Sequence, residues 1–220
     1  MGDPERLTRS KITGSRARAL LAIAMLGPLC SAGSAPAGAG GGAAQLYSPG
    51  AAPLQRTKQP IVTGTSVLAV KYKDGVMMAC DTLGSYGTLA KYKDLRRMAE
   101  VNEKCLIGAG GEYSDFQYIQ SLLDELRTDD ANLADGFTLS PAEIFSYLRV
   151  VLYNRRSKFN PLWNNLVVAG FTGGKPFLGT VDLIGTAFED DLIATGFGAH
   201  LALPLMRKAL DETPAHLMEE

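Results

Sequence analysis

The chain has 220 residues, 46% hydrophobic and 20% charged, the balance of a folded domain with an appendage or of two small domains, not of a disordered chain. A formal net charge of −1 gives no electrostatic case for a nucleic-acid or anionic-membrane partner. Three cysteines at no metal-ligand spacing (Cys30, Cys80, Cys105) and two late histidines (His200, His216) argue against a metal centre, a disulfide framework and a Ser-His-Asp hydrolase.

The charge is unevenly spread. Residues 1–56 hold six bases and two acids, which leaves 16 bases against 21 acids in 57–220. Gly and Ala supply 21 of those first 56 residues, a bias that no packed core needs. Arg16-Ala17-Arg18 followed by the apolar run Ala19–Cys30 has the outline of a secretory signal. It is too short and too interrupted for a membrane span. The absence of a disulfide pattern downstream argues against secretion. We therefore treat 1–56 as a low-complexity leader and 57–220 as the folded domain.

Within 57–220, Ser66–Tyr72 has strand composition, and Asp74-Gly75 predicts a tight hairpin turn. Val76–Cys80 is expected to return as a largely buried strand, and Leu106–Gly111 as another buried strand ending in glycines. Ser114 to Gln117 has capping-box spacing ahead of Ile119, Leu122, Leu123 and Leu126. Ser140-Pro141-Ala142-Glu143 is a second helix start, with Ile144, Tyr147, Leu148, Val151 and Leu152 as its apolar stripe. Leu166–Gly170, the turn Thr172–Lys175 and Phe177–Val181 read as a second hairpin. Pro204 is expected in the first turn of a third helix, backed by Leu205, Met206, Ala209 and Leu210. Elements clustered in runs predict an α+β fold, two hairpin-built sheets with helices stacked outside.

The glycine clusters Gly108–Gly111 and Gly196–Gly198 lack the partners of a phosphate loop and are read as tight turns. Gly64-Thr65-Ser66 offers different chemistry. A threonine hydroxyl is a poor nucleophile unless a base sits beside it, and its own free α-amine is one such base. Cutting between Gly64 and Thr65 would create that amine; a plain strand-edge threonine is the simpler reading.

Thr63–Leu68, the Asp74-Gly75 hairpin and Ala79-Cys80-Asp81-Thr82 resemble the β-type subunits of the 20S proteasome. Leu83–Gly87, Gly110–Gln117 and Tyr153–Asn164 resemble a non-catalytic member of that family, and the likeness runs from about Leu46 to the end. The resemblance implies a four-layer α/β/β/α sandwich of the N-terminal-nucleophile hydrolase type. It also implies that C-terminal elements of the fold are missing here, which would leave sheet edges uncovered. Active members have a threonine at the place of Thr65, an aspartate at Asp81 and an oxyanion-binding amide at Gly111. Their lysine is replaced here by Arg97 and a serine by Phe197. A guanidinium stays charged where a lysine can give up its proton, so the resemblance implies a pseudo-active site: Thr65, Asp81, Arg97, Gly111 and Phe197 without catalysis, Asp81 and Arg97 as a structural ion pair.

The expected role is a structural subunit of the 20S core, in the cytoplasm and nucleus. The implied partners are neighbouring α and β subunits and assembly chaperones, with no cofactor, nucleic acid or membrane. The alternative is an active threonine-type endopeptidase subunit with Thr65 as nucleophile. Leu54–Pro60 resembles the family's processing region, with Arg56 before the cut and Thr57 as the mature N-terminus. Thr57–Gly64 would then precede the first strand as a short extension.

Overall fold

A computed structural model describes residues 57–72, 75–133 and 136–212. The expected leader lies outside them, as do Arg56, Asp74 and His216. The elements run β1 (Val62–Gly64), β2 (Val67–Tyr72), β3 (Gly75–Cys80), β4 (Gly84–Tyr86), β5 (Leu89–Tyr92), β6 (Met98–Asn102) and β7 (Cys105–Glu112), then α1 (Tyr113–Asn132) and α2 (Pro141–Ser157). β8 (Asn164–Thr172), β9 (Lys175–Val181), β10 (Ala187–Glu189), β11 (Leu192–Ala194) and α3 (Gly198–Glu212) complete the order.

The strands form an eight-stranded sheet, β10-β9-β8-β7-β1-β4-β5 with β6 also on β7, and a three-stranded sheet, β11-β2-β3. The two sheets meet through Val67, Ala69, Val167, Ala169, Leu178 and Ile193, with Val76, Met78 and Cys80 at the margin. Helices α1 and α2 pack on the large sheet and α3 on the small one. That is an α/β/β/α layering, as the resemblance implies. Its physical origin is the burial of one face of each sheet against the other, which leaves the large sheet's second face to be covered by the two helices.

Local signals act where expected at α2. Ser140 and Glu143 form the reciprocal capping box with Pro141 in the first turn, and Ile144, Phe145, Leu148 and Leu152 are buried. Phe145 reaches Phe177 of β9 at 5.4 Å between ring centroids. The β8–β9 turn places Gly173 and Gly174 at φ 61° and 78°, conformations that favour glycine.

Other expectations are corrected. Helix α1 begins at Tyr113 with Glu112 as its N-cap and no side-chain cap bond. Ser114 donates instead to Glu112 Oε1 at 2.8 Å, because Glu112 is held by other bonds in the sheet. Gly75 belongs to β3, paired with Tyr72, and is a strand residue, while Asp74 lies outside the described residues. Strand β3 is the small sheet's edge and alternates, with Met77 63% exposed. Gly108–Gly111 lies within β7, not in a turn. Pro204 sits inside α3, because Gly198 N–H bonds to Ser66 Oγ at 2.8 Å and starts the helix earlier. A proline there removes one intrahelical bond. The stripe behind it is not buried: Leu205 is 68% exposed, Ala209 is exposed, and Met206 and Leu210 are half-buried.

Cys105 is buried and free, and burial pushes its thiol up to about 12. Cys80 is free and half-buried; burial raises its thiol as well, against the lowering pull of Arg97. Among the described residues no helix is long and apolar enough to cross a membrane. Leu148 is fully buried between α2 and the sheet. Leu148→Ala is expected to cost about 2–5 kcal/mol, read as a lower midpoint in thermal or urea unfolding.

Candidate functional site: a saturated arginine beneath Thr65

The chain leaves the large sheet at Gly64, the end of β1, and enters the small sheet at Val67, the start of β2. The link is Thr65-Ser66, whose carbonyls cannot stay in either ladder and so need donors from elsewhere. Strand β7 lies beneath this crossing. One of its edges is shared between β6, along residues 105–108, and β1, along residues 111–112. Arg97 lies just before β6, at the split between the two.

Its guanidinium is 2% exposed. Nε donates to Asp81 O at 3.0 Å. Nη1 donates to Thr65 O at 3.4 Å and Ala109 O at 3.0 Å. Nη2 donates to Ser66 O at 3.0 Å and to the Asp81 carboxylate. A guanidinium carries five N–H donors, and every one has an acceptor. The main chain adds Ala109 N–H to Arg97 O at 2.9 Å. Asp81 is the ion partner, its side chain 43% exposed, and it also accepts from Leu83 N–H at 3.1 Å.

Close approach explains the glycines. A Cβ on Gly64 would lie 2.2 Å from Arg97 Cδ, and one on Gly110 would lie 2.7 Å from Thr65 O. Gly111 has φ +93° and would place a Cβ 2.1 Å from Trp163 O. Asn164, 1% exposed, braces this irregular stretch by donating to Gly110 O at 3.1 Å and Glu112 O at 2.8 Å.

Thr65, Gly111 and Phe197 line one open cleft of about 600 Å³, together with Thr63, Asn165, Thr195 and His200. Arg97 is not in its wall but underneath. Phe197, 74% exposed, precedes α3 and accepts from Leu201 N–H at 3.1 Å. Thr65 is exposed, and among the described residues its hydroxyl has one side-chain hydrogen-bond partner, Ser66 Oγ, at 3.4 Å. Ser66 Oγ is itself engaged by Gly198 N–H. Thus no basic group touches Thr65 Oγ1. Among the described residues no cluster of His, Cys, Asp or Glu could hold a metal ion.

Three participants escape sequence reasoning. Ser66 anchors α3, Thr195 Oγ1 accepts from Val67 N–H at 2.9 Å, and Asn164 bridges around Gly111. Nothing local marks them, since each acts across a large sequence separation. His200, set aside on the sequence, stands on the cleft wall.

The segment before Thr65 also departs from expectation. Instead of an extension ahead of the first strand, it contains β1, hydrogen-bonded between β7 and β4. Glu112, 4% exposed, accepts from the amides of Ile61 and Val62, the latter at 3.0 Å. Trp163 Nε1 donates to Thr57 O at 2.9 Å. A three-residue strand carries too little local signal; its partners are remote.

Arg97→Met would leave the Thr65, Ser66 and Ala109 carbonyls without these donors and Asp81 without its partner. We expect a loss of about 2–4 kcal/mol, below the ~3–5 of a fully buried pair because Asp81 is partly solvated. Chemical unfolding checks this, and a loss under 1 kcal/mol contradicts it.

Comparison with known proteins agrees with this architecture. Residues 61–219 match the family model described as "Proteasome subunit". "Proteasome subunit beta type-4" of Dictyostelium discoideum is 53% identical over 174 residues, covering 79% of this chain and 67% of that protein. The protein of the same name in Arabidopsis thaliana is 54% identical over 166 residues, covering 76% and 66%. "Proteasome subunit beta type-7" of Saccharomyces cerevisiae is 47% identical over 172 residues, covering 76% and 65%. The chain spans about two thirds of the length of these relatives. On its sandwich of sheets and helices and on these likenesses, this chain belongs to the proteasome subunit family.

Proposed function

We propose that this chain is a structural, non-catalytic β subunit of the 20S proteasome core, helping to build the β ring and its chamber for protein degradation. The saturated Arg97 carries this reading. Threonine catalysis needs a group that takes up the hydroxyl proton. At the position of the family's lysine stands a permanently charged guanidinium whose donors are all engaged. Exposed Phe197 supplies no hydroxyl for a proton path.

The backbone supports the same reading. Residues 62–64 are an internal strand of the large sheet, so in the uncut chain Thr65 carries an amide nitrogen, not an amine. Release of that amine would require cutting β1 at Gly64, where it pairs with Gly111. Partners of this role are the neighbouring α and β subunits and assembly chaperones, in cytoplasm and nucleus. The exposed apolar residues Leu89, Phe159, Leu201 and Leu205 suit a chain that works inside an assembly.

Two measurements test the proposal. In assembled particles, a threonine-directed covalent inhibitor is expected to leave Thr65 unmodified, and Thr65→Ala to leave peptidase activities unchanged. An adduct on Thr65 by mass spectrometry, or lost activity in normally assembled Thr65→Ala particles, favours the active endopeptidase instead.

The expected mature N-terminus is Thr57. A neighbouring subunit that cuts after basic residues can hydrolyse Arg56–Thr57, whereas self-cleavage before Thr65 lacks its proton carrier. N-terminal sequencing of the subunit from assembled particles decides between them, and a start at Thr65 overturns the non-catalytic reading.

A further inference from the structure

We infer that Asp115 is the receptor for a free α-ammonium group at Thr57, so that hydrolysis of the Arg56–Thr57 bond creates an ion pair that fastens the start of the domain to helix α1. The inference rests on the processing reading above and adds what the new terminus does.

Asp115 is 8% exposed, and a buried carboxylate is costly unless its charge is met. Its present partners are neutral. Oδ1 accepts from Thr57 Oγ1 at 3.1 Å and Oδ2 from the Trp163 amide at 2.9 Å. The first turn of α1 offers its partial positive charge, which offsets only part of the cost. Among the described residues no Lys or Arg is paired with Asp115 or with neighbouring Glu112. A carboxylate has about four acceptor positions, and among the described residues Asp115 uses two.

Thr57 is already delivered to this charge. Trp163 fixes its carbonyl through Nε1 at 2.9 Å while its own amide is fixed by Asp115, so Thr57, Asp115 and Trp163 close a ring. The Thr57 nitrogen is three bonds from the Oγ1 that touches Asp115. In the uncut chain that nitrogen is a neutral amide with one N–H. On hydrolysis the C–N bond of Arg56–Thr57 breaks and water's oxygen joins the Arg56 carbonyl carbon as a carboxylate. The water protons leave Thr57 with –NH3⁺, three donors and a full positive charge beside a carboxylate that no described Lys or Arg pairs.

Ion pairing and burial move an amine in opposite directions, which makes the inference testable. An adjacent carboxylate favours the charged form, whereas burial alone disfavours it. Among the described residues, the charged groups bonded to this segment are Asp115 at Thr57 and Glu112 at Ile61 and Val62, and Lys58 lies within it. The experiment purifies assembled particles, defines the N-terminus by intact mass, and follows acetic anhydride labelling of the Thr57 amine from pH 6 to 10. Lys58 serves as the internal reference, and urea-dissociated subunits as the unfolded one.

The expected result is a start at Thr57, with a labelling midpoint about one pH unit or more above that of the dissociated subunit. Asp115→Asn should abolish that upward shift and speed Thr57 labelling near pH 7.5 about tenfold. If Asp115→Asn does not assemble, the shift in wild-type particles decides alone. A start elsewhere overturns the processing reading and the inference with it. A start at Thr57 with a midpoint at or below the dissociated value overturns the inference and leaves the processing reading standing.

Discussion

The fold hinges on how one chain passes from a large sheet to a small one without stranding its carbonyls. Thr65-Ser66 makes that crossing, and Arg97 supplies the missing donors from below. The same guanidinium reaches Ala109 in β7 and Asp81 after β3, so three chain segments converge on one side chain. Burial of a cation is tolerable there because its fork of five donors meets five acceptors and one of these is a carboxylate. A lysine, with three donors on one atom, could not span the same set.

This arrangement has a chemical consequence. Arg97 acts as a structural plug, and the glycines around it are fixed by contact with that plug and with the crossing strand. Gly64 and Gly110 are small because Arg97 and Thr65 O press on them. The site keeps the shape of a cleft beside a threonine whose hydroxyl, among the described residues, touches no base. On the proposed non-catalytic reading, one residue both holds this crossing together and withholds a proton carrier from Thr65.

A second clamp orders the start of the domain. Glu112 and Asp115, at the junction of β7 and α1, hold Thr57–Val62 through backbone and hydroxyl bonds, with Trp163 closing the arrangement. Two buried acids lie at one helix start, beside the segment whose N-terminus is expected to be freed by processing. The segment thereby leads into β1, and residues expected as a short extension supply an internal strand of the large sheet.

The sequence by itself determined the elements whose signals are local. The capping box Ser140–Glu143, the stripe through Ile144 and Leu148, the Gly173-Gly174 turn and the coarse order of strands, two helices, strands and a helix follow from neighbouring residues. The motifs Thr63–Leu68, Ala79–Thr82, Gly110–Gln117 and Tyr153–Asn164 made the family readable, because such residue strings are unusual together. Only the tertiary structure decided β1, the true start of α3 and the network under Thr65. In each of these the deciding partner is distant: Gly111 and Glu112 for β1, Ser66 for α3, and the carbonyls of Thr65, Ser66 and Ala109 for Arg97. Hydrogen bonds closed across such separations leave no periodic trace along the chain, so they become visible only once the two sheets are brought face to face.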